Sequence, residues 1–401
     1  MGGDSVWVFG RLGTWVRRAI SPPHAQTPTP PYLRFVAVTL VLLTATGCGA
    51  GVEPVEVPAH PSAALPYAPN TYVVQRATAS LEIDGRLGEA DWQAAAWTED
   101  FVDIQGPSQP APRFRTRAKM LWDSTHFYVA AEMEEPHVWA TLTERDTVIF
   151  YDNDFEVFVD PDGDTHLYYE LEVNAFGTLW DLLLPTPYRD GGPAIDAWDI
   201  RDVEAGVDVQ GTLNDPSDTD EGWTVEIAMP WSILEEAAPE GRPPAPGDRW
   251  RVNFSRVQWH AVVENGRYRK ATDPETGEPL PEDNWVWSPQ GAINMHLPER
   301  WGVVQFVDVP VGEAPPAFED DPNDAVRWAL RRLYYRQQRF YERHGRYADR
   351  LSLLRAHDLD AGDLDFAPRL ETTQSLYEIT APGVDGTVLH IRQDGKTWVT
   401  E

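Results

Sequence analysis

Residues 150–184, FYDNDFEVFVDPDGDTHLYYELEVNAFGTLWDLLL, constrain the fold more than any other stretch, because apolar and polar side chains alternate along them. Side chains of a strand point in turn to its two faces, so this period of two predicts strands with unlike sides. Phe155, Val157 and Val159 fall on one side, and Glu156, Phe158 and Asp160 on the other. After the turn Asp160-Pro161-Asp162-Gly163-Asp164, Leu167, Tyr169, Leu171 and Val173 share a face, while Tyr168, Glu170, Glu172 and Asn174 share the opposite one. The segment predicts a hairpin with one greasy side for a core and one polar, aromatic side.

The same design recurs downstream. Trp223, Val225, Ile227 and Met229 alternate with Thr224, Glu226 and Ala228, and Trp250, Val252 and Phe254 alternate with Arg251, Asn253 and Ser255. A carboxylate in the middle of a strand needs a partner once it is covered, so such a face holds arginine pairs, a metal or a polar ligand. Arg256 and Arg269 are the local candidates for internal pairing. An earlier hairpin is expected over Arg113–Leu121 and Phe127–Met133, and turn signals at Asp162-Gly163, Gly191-Gly192, Asp215-Pro216, Glu221-Gly222, Pro246-Gly247 and Asn265-Gly266 punctuate the rest. Strands at this spacing, with only short helical turns near Glu89–Ala96 and Ser232–Ala238, predict a mainly β fold, an antiparallel β-sandwich.

Ahead of the sandwich, Arg34 precedes the apolar run Phe35–Thr46 and then Gly47-Cys48-Gly49. The run is short for a bilayer span and suits the apolar region of a secretory signal. Ala45-Thr46-Gly47-Cys48 resembles a bacterial lipobox, so Cys48, the only cysteine, is the expected site of lipid attachment. Residues 1–48 are thus read as leader and lipoprotein signal, with residues 49–70, rich in Pro, Ala and Val, as a tether. This implies a bacterial envelope protein, lipid-anchored and periplasmic or at the cell surface. Lys and Arg number 33 against 64 Asp and Glu, a formal net charge of −31, which argues against nucleic acid as a partner.

At the other end the character changes. Residues 309–320 form a Pro- and acid-rich linker. A helix is then expected with Asp321 as its cap and Pro322 at its first position, running through Val326, Leu330, Leu333, Tyr334, Gln337 and Tyr341 to His344-Gly345. Strands over Leu376–Thr380, Val388–Arg392 and Thr397–Thr400 complete a small α+β appendage, residues 321–401, expected to offer a surface to an envelope protein partner.

With the strands placed, residues 71–308 resemble the family 9 carbohydrate-binding modules and their lipoprotein relatives. The resemblance is carried by LEIDGRLGEADW (Leu81–Trp92), AKMLWDSTHFYVAAEMEEPHV (Ala118–Val138), DNDFEVFVDPDGD (Asp152–Asp164), YELEVNAFGTLWD (Tyr169–Asp181), GWTVEIAMPWSIL (Gly222–Leu234) and RWGVVQF (Arg300–Phe306). It implies a sandwich with a sugar slot, where aromatic rings stack on pyranose faces and polar side chains read the hydroxyls. Glu156 stands at the family's sheet carboxylate and Asn174 at an asparagine of the adjacent strand. Phe150, beside Tyr151, stands at the first stacking tryptophan, and Glu172 stands where sugar-binding members can carry a basic residue. The second stacking tryptophan has no register-matched equivalent; Trp285 and Trp287 lie earlier in a longer loop.

The sugar site is therefore expected to use Glu156, Glu172, Asn174 and Asn253 for hydrogen bonds, Arg256 to orient them, and Phe150, Tyr151, Trp259, Trp285 and Trp287 for stacking. Trp122, Trp180, Trp223 and Trp250 sit in strand patterns and are expected to pack. The acidic turns Asp152-Asn153-Asp154 and Asp160-Pro161-Asp162-Gly163-Asp164 could coordinate a structural calcium, an ion for which the family is known. The function expected is carbohydrate capture in support of glycan catabolism. Two alternatives stand beside it: an envelope interaction module whose polar face pairs with itself, and an enzyme, either a glycoside hydrolase or a haem-binding sandwich using methionines such as Met120, Met133, Met229 and Met295 with His137, His260 or His296.

Overall fold

The computed structural model describes residues 65–359 and 366–401, together with two N-terminal strands, β1 (Ser5–Phe9) and β2 (Trp15–Ala19), which form an antiparallel pair by themselves. The signal region and Cys48 lie outside the described residues. No helix among the described residues is long and apolar enough to cross a membrane.

The main body is built from β3 (Thr71–Arg76), β4 (Val102–Asp103), β5 (Thr116–Trp122), β6 (His126–Glu134), β7 (Asp154–Asp160), β8 (Tyr168–Asn174), β9 (Leu179–Leu184), β10 (Glu204–Gln210), β11 (Gly222–Pro230), β12 (Arg249–Gln258), β15 (Asp283–Val286) and β16 (Gly302–Pro310). Between β12 and β15 runs a separate hairpin, β13 (Ala261–Glu264) and β14 (Arg267–Lys270). The twelve strands make one curled sheet in the order β10-β11-β6-β5-β3-β16-β12-β7-β8-β9, with β15 joined to β12 and β4 to β15. Pairing is antiparallel except around β3, which lies parallel to both β5 and β16. The ten-residue β12 forks the sheet: Arg249–Val252 pair with β16 and Ser255–Gln258 with β15.

The curl folds the sheet into two layers, and the alternation of the sequence decides what lies between them. Phe155, Val157 and Val159 of β7, Tyr169, Leu171 and Val173 of β8, and Trp250, Val252 and Phe254 of β12 meet Met120, Val129, Trp223, Val225 and Ile227 of the other layer. Two short helices, α1 (Ala90–Ala94) and α2 (Trp231–Leu234), stand where short helical turns are expected. Gly302 opens β16 for a steric reason: a Cβ there would lie 2.4 Å from the Trp287 ring.

The appendage consists of α3 (Asp324–His344) and a four-stranded antiparallel sheet, β17 (Arg369–Thr372), β18 (Tyr377–Pro382), β19 (Val388–Arg392) and β20 (Thr397–Thr400), in that order. The helix starts two residues later than its sequence suggests. Asp321 instead accepts the backbone N–H of Asn323 (2.9 Å) and pairs with Arg327 (3.0 Å), while Gly345 closes the other end in a left-handed conformation, φ 67°. Val326, Leu330, Leu333 and Phe340 pack on Tyr377, Ile379, Leu389 and Ile391.

The appendage packs on the sandwich. Arg189 grips Glu299 with two hydrogen bonds (2.8 and 2.9 Å), Tyr335 of α3 donates to the same carboxylate, and Tyr334 donates to Asp190. Burial alone would raise the Glu299 carboxyl, but Arg189 and Arg331 bring it down to about 2. Lys396 reaches Asp164 at 2.5 Å, and Tyr67 stacks on Trp328 with ring centres 4.8 Å apart.

Candidate functional site

The polar side of β7, β8 and β12 faces away from the sandwich interior, and the register brings its acids together. Glu156 lies directly opposite Glu172 on one flank and Ser255 on the other; Asp154 lies opposite Asn174, and Glu170 opposite Phe158. Oxygens of Asp154, Glu156 and Glu172 lie within 4.8 Å of one another. The face is covered all the same: Asp154 is 0 % exposed, Glu172 1 %, and Glu156 and Glu170 5 % each.

Donors reach these acids sparsely. Asp154 accepts the Val257 N–H through one oxygen (3.1 Å) and Glu172 accepts the Phe150 N–H (3.0 Å), but Asp154 Oδ2 and Glu170 Oε2 have no partner. Among the described residues, no Lys, Arg or His nitrogen comes within 4.0 Å of the carboxylates of Asp154, Glu156, Glu170 or Glu172. Burial, reinforced by mutual repulsion, pushes the carboxyls of Asp154, Glu170 and Glu172 well above the usual range, and burial brings Glu156 to about 7.

Aromatic side chains rim this floor. Phe150 and Tyr151 lie in a short turn of helix before β7, their rings 5.0 Å apart. Trp180 of β9 stands across from Glu172 and lies 6.2 Å from the Phe150 ring, with its indole N–H held by Asp196 at 2.7 Å. Trp259 donates to the Phe150 carbonyl at 2.9 Å, and the ammonium of Lys270 sits 3.2 Å from the centre of the Trp259 ring. Burial lowers the Lys270 pKa to about 8.

Of the side chains expected at a sugar site, Glu156, Glu172, Phe150, Tyr151 and Trp259 are brought together here. Asn174 shares the face, but its amide is spent on the Leu142 carbonyl, Asp152 and the backbone of Phe176 and Thr178. Asn253 is tied to Ser288 by two hydrogen bonds of 2.9 Å, anchoring the loop that follows β15. Arg256 is placed elsewhere. It follows Trp250, Val252 and Phe254 on the inward side of β12 and binds Glu135 (3.0 Å), Thr116 (2.9 Å) and the Glu134 carbonyl (2.9 Å). Trp285 and Trp287, 3 % and 0 % exposed, also belong to the sandwich core. Trp180, expected to pack, is half-buried against the Phe158 cluster and also reaches the rim, and Lys270 reaches the rim without a role foreseen from the sequence.

The acidic turns differ in their partners. Asp152 accepts from Thr141 and Leu142 as well as Asn174, so its oxygens serve the fold. In the second turn Asp160 accepts the N–H groups of Gly163 and Thr165, and Asp164 receives Lys396. Asp160, Asp162 and Asp164 hold oxygens close enough to share a cation, but a cation of the protein's own already stands at Asp164.

The comparisons with known proteins fall on the same body. Residues 83–243 match the family described as carbohydrate family 9 binding domain-like, so over that stretch the resemblance read from the sequence holds. Six chains of solved structures match this chain, three of which follow. A family 9 carbohydrate-binding module from Caldicellulosiruptor kristjanssonii, in complex with cellotriose, is 14 % identical and covers 62 % of this chain and 100 % of its own, at a TM-score of 0.39. The same kind of module in complex with glucose has the same identity and coverage, at a TM-score of 0.38. A putative carbohydrate-binding protein from Bacteroides uniformis is 16 % identical and covers 60 % of this chain and 100 % of its own, at 0.44. No curated protein matches the chain.

Proposed function

We propose that the sandwich binds carbohydrate on the face of β7 and β8, with Glu156, Glu172 and Glu170 accepting hydrogen bonds from the ligand and Phe150, Tyr151, Trp180 and Trp259 lining it. The observation that carries this reading is a cluster of covered acids with few donors, two of whose oxygens, Asp154 Oδ2 and Glu170 Oε2, have none, beneath an aromatic rim. A hydroxyl-rich ring supplies donors for such acceptors and C–H groups for the ring faces, whereas water or an apolar ligand supplies only one of the two. The family match supports the same reading. Calorimetric titration of the intact chain with mono- and oligosaccharides tests it, repeated with Phe150→Ala and Trp180→Ala. Each substitution should weaken binding roughly tenfold, the worth of one ring contact; no heat with any sugar refutes the proposal.

The finer reading is a lipid-anchored extracytoplasmic protein that feeds a glycan-degrading system. It is supported by the apolar run Phe35–Thr46 before Cys48 and by the acidic, nucleic-acid-averse composition. The interaction-module alternative draws on the burial of the polar face, but its requirement that the face pair with itself is not met by Asp154 and Glu170.

A further inference from the structure

Elsewhere the protein matches its buried acids one by one. Glu299 holds Arg189, Glu135 holds Arg256, Asp181 holds Arg145, and Glu226 accepts from the Trp92 indole and the backbone of Asp84 and Gly85. Among the described residues, only on the polar face do several acids share one neighbourhood without a matching cation: Glu170 and Glu172 on β8, Asp154 and Glu156 on β7. Glu170, outside the mutually close trio, points an unpartnered oxygen from a side chain that is 95 % buried.

Hydroxyl groups satisfy lone pairs but carry no charge, so a neutral sugar does nothing to favour the ionised form of these crowded acids. An ammonium supplies three donors and the missing positive charge at once. The rim also accommodates an ammonium, since Lys270 rests its own on the Trp259 face. A bare divalent ion would answer the carboxylates and leave the four rim aromatics without a role.

We propose that the sugar recognised here carries a free amine: an amino sugar with a protonated 2-amino group, alone or as a unit of a deacetylated polysaccharide. This rests on the carbohydrate reading above and names its substrate class. The ammonium lies among Glu156, Glu170 and Glu172, and the ring packs against Phe150 and Trp180. Burial and mutual repulsion favour the protonated form of these acids and an ammonium among them favours the ionised form, so binding is coupled to proton release.

The test is calorimetry on the intact chain with D-glucosamine, N-acetyl-D-glucosamine, D-glucose and their β-1,4-linked oligomers, run in two buffers of different ionisation enthalpy, with and without calcium chloride. The free amine should bind about 10- to 100-fold more tightly than its acetylated or neutral counterpart, the range for hydrogen bonds to charged groups, with a buffer-dependent heat that reports released protons. Glu172→Gln, checked for folding by circular dichroism, should collapse that preference severalfold or more; Glu170→Gln serves if it misfolds. Glucose bound as tightly as glucosamine overturns the inference and leaves the carbohydrate reading intact. Silence with every sugar overturns both. Calcium that binds one-to-one and excludes glucosamine assigns the acids to an ion and overturns the inference.

Discussion

Replacing Arg256 with Met separates a structural guanidinium from a ligand-reading one. Its side chain is 1 % exposed, its partner Glu135 3 %, and its N–H groups reach Glu135 (3.0 Å), Thr116 (2.9 Å), the Glu134 carbonyl (2.9 Å) and Gln258 (3.0 Å). The guanidinium also lies 5.2 Å from the Trp285 ring. Methionine keeps much of the stem but strands Glu135, which retains only Asn153 and the His137 N–H as donors. Breaking one side of a buried ion pair costs about 3–5 kcal/mol. At roughly 2–4 °C per kcal/mol for a body of this size, the melting temperature should fall by about 6–20 °C. Adding Glu135→Gln should recover a large part of that loss, because the stranded charge disappears. Differential scanning fluorimetry reads the shift, and calorimetry below the transition reads sugar affinity, which should stay within about twofold. A variant that melts within about 2 °C of the parent yet no longer binds sugar would refute the argument and place Arg256 at the ligand.

Glu156→Gln should stabilise the ligand-free protein on the order of 2 kcal/mol near pH 8 and have little effect near pH 5. The folded carboxyl sits at about 7, above its unfolded value, so its contribution to stability is full below the unfolded pKa and is lost as pH rises toward 7. Melting curves of the two proteins between these pH values check it; a constant offset across the range counts against the burial-driven shift. Cys48→Ser, expressed in a bacterial host, should move the intact chain from the membrane to the soluble fraction, as measured by fractionation and by labelling with a radioactive fatty acid.

The period-two alternation made much of this site legible before any coordinates. It assigns Glu156, Glu170 and Glu172 to one side of the β7–β8 hairpin, and the four-residue link from Ala175 to Thr178 brings Trp180 across from Glu172. The same rule, carried one step further along β12, turns Arg256 inward behind Phe254, because side-chain parity outranks its charge. Trp285 and Trp287 resisted reading for a different reason. Their surroundings look like a polar loop, but Asp283–Val286 pair with the far half of β12 some thirty positions away, and no local pattern announces that fork. Lys270 reaches the rim on the separate hairpin β13–β14, where its pairing with Trp259 follows from tertiary folding alone. In the appendage, the alternation and helix period gave α3, β18, β19 and β20, while β17, the four residues Arg369–Thr372, is too short to show a period.

The two acidic groups on β7 and its turn show what distinguishes a binding face from a merely acidic one. Asp160, Asp162 and Asp164 stand at the end of the strand, where the β19–β20 turn delivers Lys396 to Asp164 and Thr397 donates to the Asp164 carbonyl. There the chain's own ammonium fastens the appendage to the sandwich, with Tyr334 and Tyr335 binding Asp190 and Glu299 nearby in the fold. A few residues back along the same strand, Asp154 and Glu156 receive no such cation. A chain with 33 basic residues for 64 acids could leave any acid unmatched, but burial makes the choice costly, since an exposed acid is solvated by water and a covered one is not. Of the buried acids that hold the architecture together, Glu135, Asp164, Asp181 and Glu299 have a cation in place, and Asp152 and Glu226 have several N–H or O–H donors each. Those beneath Phe150 and Trp180 do not, and this difference within one protein sets the face apart from the general acidity of the chain and ties its missing charge to what it binds.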